Sequence, residues 1–190
     1  KKNDLLESVE IALEKLSFCF DRINIKYFNN GNDSTFNHLN SDQYSMFLYI
    51  LSNVIYKKDI KNNISVATKI YLLNKMLHGI DIFYEINLPS IFVFIHPLGT
   101  VLGRANYSDF LAVYQRCGIG SNNDSYPNLG KYLTLHPGAS VLGKSKIEEN
   151  CSIGSDSIVI DRNIRKNSIY LGNPMQNKIL KKTNIDTIWK

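Results

Sequence analysis

The sequence has no apolar run that could cross a membrane as a helix. Its longest, near Ile91–Ile95, is far short of the roughly 20 residues a span requires. The N-terminal segment KKNDLLESVE mixes acidic and basic residues and has no continuous apolar core, so it is not expected to be a signal peptide. The three cysteines, Cys19, Cys117 and Cys151, are odd in number and show no C-x-x-C spacing. A disulfide framework and a cysteine zinc site are thereby excluded, and a cytoplasmic protein with reduced thiols is expected. There is no dense Arg/Lys stripe and no nucleic-acid motif, so no nucleic-acid partner is expected. Lysines are spread along the chain, with small clusters only at Lys57-Lys58 and at Lys178, Lys181 and Lys182. The net charge of +5 suits a phosphate-bearing ligand, and it is equally what a Lys-, Asn- and Ile-rich composition yields without one. What is present, in 190 residues with 44% hydrophobic and 21% charged side chains, is enough apolar material for an ordinary globular core.

Two periods divide the chain. In the first half Leu5, Val9, Ala12, Leu13, Leu16, Phe20 and Ile23 recur at three- and four-residue intervals, the face of an amphipathic helix. Gly31-Asn32-Asp33-Ser34 marks a loop. Tyr44 to Tyr56 and Val66 to Leu77 are two further helices, joined by a polar connection over 57–63 and stopped at Gly79.

In the second half Leu129, Leu135, Val141, Ile147, Ile153 and Val159 lie six residues apart without a slip. Four places after each comes a small residue, at Ala139, Ser145, Cys151 and Ser157, with Leu133 the exception. Neither a helix nor a flat strand has a period of six. A triangular coil of short parallel strands does, with the aliphatic side chain inside and the small one at the corner. The pattern extends less regularly upstream through Ile80, Ile86, Phe92 and Leu98, is disturbed between Gly103 and Gly120, and gives way to a projecting loop at Gly120–Pro127. After Val159 it decays towards a closing cap. The expected architecture is α+β: an N-terminal helical domain over 1–79, a β-helix of about five coils over 80–174, and a cap or tail over 175–190.

The stretch FIHPLGTVLGR (94–104), the run YPNLGKYLTLHPGASVLGKSKI (126–147) and LGNP (171–174) resemble the serine acetyltransferase family, over about residues 79–180. Versions of that family from bacterial surface-polysaccharide clusters are closer still. They share FNHLNSDQYSMFLYILSN (36–53), the GIDIFYEINLP run (79–89) and the HPLGTVLGRA run (96–105). The resemblance implies a left-handed β-helix and transfer of acetyl from acetyl-CoA to a hydroxyl. It also implies a homotrimer or dimer of trimers with the active sites between neighbouring subunits.

An alcohol is a poor nucleophile until a base removes its proton, and a neutral His does this near pH 7. The resemblance makes His96 that base and Asp81, fifteen residues earlier, the carboxylate that holds its tautomer. It places Gly120, Pro137, Gly138 and Ser155 along the CoA arm, and Lys178, Lys181 or Lys182 at its phosphates. His38 and Asp42 are candidates for an acceptor pocket. His136, Cys117 and Cys151 read as structural, and Trp189 carries no signal.

Departures from the family bear on the acceptor. The family has an Asp before its catalytic His, where this chain has Ile95. It has Arg-His before the Pro of the projecting loop, where this chain has Ser125-Tyr126-Pro127. An amino acid needs both its charges matched, because an unpaired buried charge is costly. Tyr126, Gln115, Asn122 and Asn123 suit a polyol, so a sugar acceptor is expected first and L-serine second. Two other classes occur on such a fold. A zinc enzyme of the γ-type carbonic anhydrase kind needs about three converging His, and the four here form no HxxxxH pair. A non-catalytic scaffold is the other alternative. No metal is expected.

Overall fold

The computed structural model describes residues 2–28, 36–59 and 62–190. The expected loop at Gly31-Asn32-Asp33-Ser34 lies outside them, as do residues 60–61 of the polar connection.

The three expected helices are α1 (Lys2–Phe20), α2 (Ser41–Lys58) and α3 (Ile64–His78). α1 buries Ala12, Leu16, Cys19 and Phe20, whereas Leu5 and Leu13 of the same predicted face are exposed. Ile23 lies beyond the helix and pairs with Trp189. α2 packs against both other helices and against the first strand, β1 (Phe92–Phe94). It starts at Asn40, whose side-chain oxygen accepts the N–H groups of Asp42 and Gln43 at 3.0 and 3.2 Å. That cap fixes where Asp42 stands. α3 stops at Gly79, which takes φ +62° and donates its N–H to the Lys75 carbonyl. A Cβ there would also come within 2.6 Å of Leu98 Cδ1, so the position needs glycine twice over.

The rest is a parallel β-solenoid of about four turns, rather than the five expected. The first coil carries β1 and β2 (Val101–Leu102). The second carries β3 (Leu111–Val113), β4 (Gly118–Gly120) and β5 (Asn128–Leu129). The third carries β6 (Thr134–Leu135), β7 (Ser140–Leu142) and β8 (Lys146–Ile147). The fourth carries β9 (Cys151–Ile153), β10 (Ile158–Ile160) and β11 (Asn163–Ile164). β12 (Ser168–Gly172) stacks on β9, and β13 (Asn177–Lys181) turns back antiparallel to close the sheet. The three faces are the stacks β1-β3-β6-β9-β12, β2-β4-β7-β10 and β5-β8-β11.

The six-residue frame is the interior. Leu129, Leu135, Val141, Ile147, Ile153 and Val159 are all buried, and so are Leu133, Ala139, Ser145, Cys151 and Ser157. Register makes ladders of them: Phe94, Val113, Leu135, Ile153 and Tyr170 stack on one face, and Leu102, Ile119, Val141 and Val159 on the next. Burial of each such side chain contributes roughly 1.5–3 kcal/mol.

The upstream frame is corrected by the structure. Leu98 is 67% exposed, and Phe94 fills the interior position that precedes it. The cause is a bulge. Gly99 stands in the column of Arg116, Gly138 and Asp156. Five steps along the chain separate Phe94 from Gly99, but only three separate Leu135 from Gly138 and Ile153 from Asp156. His96 and Pro97 are therefore extra, and the corner carries them out of the coil.

A second insertion is the projecting loop. Ten steps along the chain, not six, separate the interior side chains Ile119 and Leu129. Asn122 and Ser125 exchange backbone hydrogen bonds at 3.1 and 3.0 Å around Asn123 and Asp124, both with positive φ, which is a tight hairpin of the I′ kind.

Beyond β13 the chain runs back along the first face to the helices. Lys182 is only 6% exposed, with its ammonium 2.8 Å from both Ser152 Oγ and Asp186 Oδ2, and Asp186 also accepts the Thr134 hydroxyl. Trp189 packs edge-on to Phe110, and the Lys190 N–H reaches the Arg22 carbonyl at 3.0 Å. Trp189, without signal in the sequence, thus ties the C-terminal segment to Ile23, just beyond α1, and to Phe110 of the solenoid.

Candidate active site

The bulge on the first coil turns His96 outwards, with φ +51° and a side chain 71% exposed. Positive φ recurs at other non-glycine corners of the solenoid, Arg116, Tyr132, Asn150 and Asp156 among them, so it is the bulge and the exposure that set His96 apart. Behind it lies Asp42, delivered by the first turn of α2 and only 3% exposed at its side chain. Asp42 Oδ1 accepts the His96 backbone N–H at 3.1 Å, and Asp42 Oδ2 lies 3.6 Å from His96 Nδ1. Burial pushes the Asp42 carboxyl above its usual range; the His96 N–H, the His96 ring and the Tyr27 hydroxyl pull against that without overcoming it. The same contact, after burial, helps to push the Tyr27 phenol up to about 12. Ser41, Asp42, Leu77, His78, His96, Pro97 and Leu98 line a recess of about 240 Å³. On its wall His78 Nδ1 meets Asn74 Oδ1 at 2.8 Å, and burial holds the His78 imidazole below its ordinary value.

The expected Asp81–His96 pair is not formed. The carboxylate oxygens of Asp81 are taken by the Tyr71 hydroxyl at 2.7 Å and the Lys75 ammonium at 2.5 Å. Partial burial pushes the Asp81 carboxyl up, but these two partners outweigh it and leave it below its usual range. A spacing of fifteen residues reads as about one coil only if both residues start from the same corner. Asp81 instead pairs with Val101 at the start of the second face, past the corner that holds His96. Asp42 takes the place at His96 that the sequence assigned to Asp81. The signal for it was the Asn40 cap immediately before a helix that begins with an acid.

Below the bulge, Gln115, Pro137 and Ser155 stand one under another at the same corner. The Arg116 N–H bonds to Leu98, Gly138 to Gln115 and Asp156 to Pro137. Gly138, at φ +77°, keeps the ridge low: a Cβ there would lie 2.1 Å from Asp156 Oδ1. Asp156 meets Arg116 at 3.3 Å, and Gln115 Oε1 is buried without a partner.

Within one chain, then, His96, Asp42, Gln115, Pro137, Gly138 and Ser155 share one corner. Gly120, Asn122, Asn123 and Tyr126 do not, because Gly120 ends β4 and the others follow it, at the far end of the second face. There the Asn122 amide is spent on Asp161 Oδ2 at 2.7 Å. Tyr126 is 44% exposed beside a separate hollow of about 390 Å³ that also touches Phe83, Gly103, Arg104 and Gly120. Lys178 and Lys181 are exposed on β13. Lys182 is corrected: buried between Ser152 and Asp186, it has no reach to a phosphate. His38 is exposed in a turn, and His136 stacks on Tyr114. Among the described residues no three His, Cys, Asp or Glu side chains gather as metal ligands, and no helix is long and apolar enough to cross a membrane.

No family model matches the chain. It is 28% identical over 117 residues to a serine acetyltransferase of Staphylococcus epidermidis, covering 58% of this chain and 55% of that protein. It is 29% identical over 107 residues to a serine acetyltransferase of Synechococcus elongatus, covering 54% and 43%. The chain thus spans about half the length of the curated relatives it matches. A serine acetyltransferase solved in complex with cysteine superposes with a TM-score of 0.78 at 15% identity, covering 98% of this chain and 73% of that one. One solved in complex with CoA gives 0.75 at 15%, covering 94% and 73%. These likenesses establish the fold. In fold over nearly its whole length, and in sequence over rather more than half of it, the chain is similar to serine acetyltransferases, and its own fold is three N-terminal helices followed by a parallel β-solenoid.

Proposed function

We propose that this chain transfers acetyl from acetyl-CoA to a hydroxyl of a small acceptor, with His96 as general base. The observation that carries the reading is the corner itself. A bulge exists only on the coil that bears His96, a buried carboxylate backs that His, and a low ridge of Gln115, Pro137, Gly138 and Ser155 runs down from it. Relatives named serine acetyltransferases, and a neighbour solved with CoA, support the donor.

With Nδ1 turned to Asp42, His96 presents Nε2 to the recess. Nε2 takes the acceptor's hydroxyl proton as its oxygen attacks the thioester carbon. The C–S bond of the tetrahedral intermediate then breaks, and the imidazolium returns the proton to the CoA sulfur. Asp42 stabilises the imidazolium in between. The 3.6 Å separation is longer than a direct hydrogen bond, as is common in sites without substrate. The ridge leaves an open strip for the pantetheine arm, with Lys178 and Lys181 as cations for its phosphates. Gly120, Asn122 and Tyr126, at a different corner of the same chain, complete such a site only from a neighbouring subunit, which is the reason to propose a homotrimer or a dimer of trimers.

L-serine is the first acceptor of this reading, in line with relatives named serine acetyltransferases. A sugar hydroxyl is the second reading. It rests on Ile95, a buried apolar side chain where an acid would meet an amine, and on Tyr126 in the projecting loop. The test is release of CoA thiol from acetyl-CoA with L-serine, sugars and nucleotide sugars, in wild type and His96→Ala. Acceptor-dependent release that vanishes in the variant supports the reading and names the substrate class. Absence of release with every acceptor, together with no acetyl-CoA binding, turns the reading to the scaffold.

A further inference from the structure

A cleft of about 370 Å³ opens on the helical region, sharing no lining residue with the His96 recess. Its walls are α1 (Glu14, Lys15, Phe18), α2 (Tyr49, Ile50, Asn53, Lys57) and the segment Leu88–Ser90 that leads into β1. The floor is apolar: Tyr49, Ile50 and Phe92. Two of its polar groups are already used to hold the segment in place. The Tyr49 hydroxyl donates to the Ile86 carbonyl at 2.7 Å and accepts the Leu88 N–H at 2.9 Å, and the Asn53 amide donates to the Tyr84 and Ile86 carbonyls.

At the rim the charges are unspent. Lys58 next door pairs with Glu7 at 2.6 Å, but Lys15 and Lys57 have no ion pair among the described residues. They stand close enough to repel: partial burial first, then the Lys15 charge, holds the Lys57 ammonium below its ordinary value. A single anion between two such lysines converts the repulsion into two attractions. With Glu14 also at the rim, two cations and one anion leave one positive charge to be matched. The volume lies at the lower end of small-molecule sites.

We propose that this cleft is a binding site for a small amphipathic monocarboxylate, its acyl or aryl body on Tyr49, Ile50, Phe92 and Phe18 and its carboxylate between Lys15 and Lys57. A phosphate monoester, carrying nearly two charges, is disfavoured by Glu14.

Octanoate is the probe, titrated calorimetrically into the full chain, with octanol and octyl phosphate as controls. The expected result is one site per chain with a dissociation constant below about 1 mM. Octanol and octyl phosphate should bind at least about tenfold more weakly. The Lys15→Gln/Lys57→Gln variant should weaken octanoate at least about tenfold while keeping its helical circular dichroism, since both side chains are exposed. Ser90→Trp, at the exposed mouth, should abolish binding by occlusion. Absence of octanoate binding to wild type, equal binding of octanol, or unchanged affinity in the double variant would each overturn the proposal.

Discussion

The helical region and the solenoid bury their apolar side chains by opposite means. In the solenoid one position is repeated down a ladder, so that Val113, Leu135, Ile153 and Tyr170 each meet their counterparts above and below. In the helices no position repeats. α2 is buried along nearly its whole length, while α1 and α3 leave Leu6, Phe18, Leu72, Met76 and Leu77 exposed. The difference shows where chemistry fits. A ladder tolerates no irregularity inside, so the solenoid carries His96, the proposed base, on a bulge at a corner. The helical region has no register to protect and is free to reach across with Asp42.

The largest expected effect tests which region carries the reaction. His96→Ala should lower acetyl transfer by about a thousandfold or more, in keeping with loss of a general base, with no loss of thermal stability because the side chain is exposed. A variant that retained rate would move the chemistry off the bulge and remove the functional half of the contrast.

Next in size is the ladder itself. Ile153→Ala removes a fully buried side chain between Leu135 and Tyr170 and should cost about 2–5 kcal/mol in denaturant unfolding. Leu72→Ala, on the exposed face of α3, should stay within about 0.5 kcal/mol. Comparable losses from both would mean that α3 is covered by something other than solvent.

Smaller again is the choice between carboxylates. Asp42→Asn should lower the rate about ten- to a hundredfold, because the imidazolium loses its counter-charge while the amide keeps the shape. Asp81→Asn should leave the rate close to wild type and act on stability, through Lys75 and Tyr71. The reverse ranking would restore Asp81 to His96 and sever the helical region from the chemistry.

How far these features were legible follows from the same contrast. The six-residue frame from Leu129 to Val159 could be read directly, because an interior that must repeat constrains every sixth side chain. So could the projecting loop at Gly120–Pro127, since turn residues announce an insertion, though not its hairpin form. The bulge could not. Ile80, Ile86, Phe92 and Leu98 keep the spacing of six by coincidence, and only the register of Phe94 on Val113 shows that Leu98 has left the core. The Asp42–His96 contact spans 54 residues between two regions of different period, where no local pattern reaches. Pro137, Gly138 and Ser155 came from resemblance, and the corner they share with His96 came only from the stacking of coils. The Lys182–Asp186–Ser152 latch had no signal, since a lysine in a polar tail reads as solvated.

The smallest effect separates the two regions by pH. Burial holds His78, on α3, and His136, on the solenoid, below their ordinary value near 6.5. As pH falls, the unfolded chain takes up these protons before the folded one. The stability the two groups confer is therefore complete above about pH 6.5 and lost as pH drops through their folded values. Asp42 works the other way: with its carboxyl raised by burial, the folded chain is protonated first and gains relative stability as pH falls through that raised value. Asp81, held below its usual range, adds a loss only under about pH 4. Between about pH 7 and about pH 5.5 the melting temperature should fall by a few degrees, measured by circular dichroism in one ionic strength. His78→Phe and His136→Phe keep the ring contacts with Tyr44 and Tyr114 and should each remove part of the slope. If His78→Phe alone flattens it, the acid-labile part of the molecule is the helical region, and the repeating ladder below it is indifferent to proton uptake at its surface.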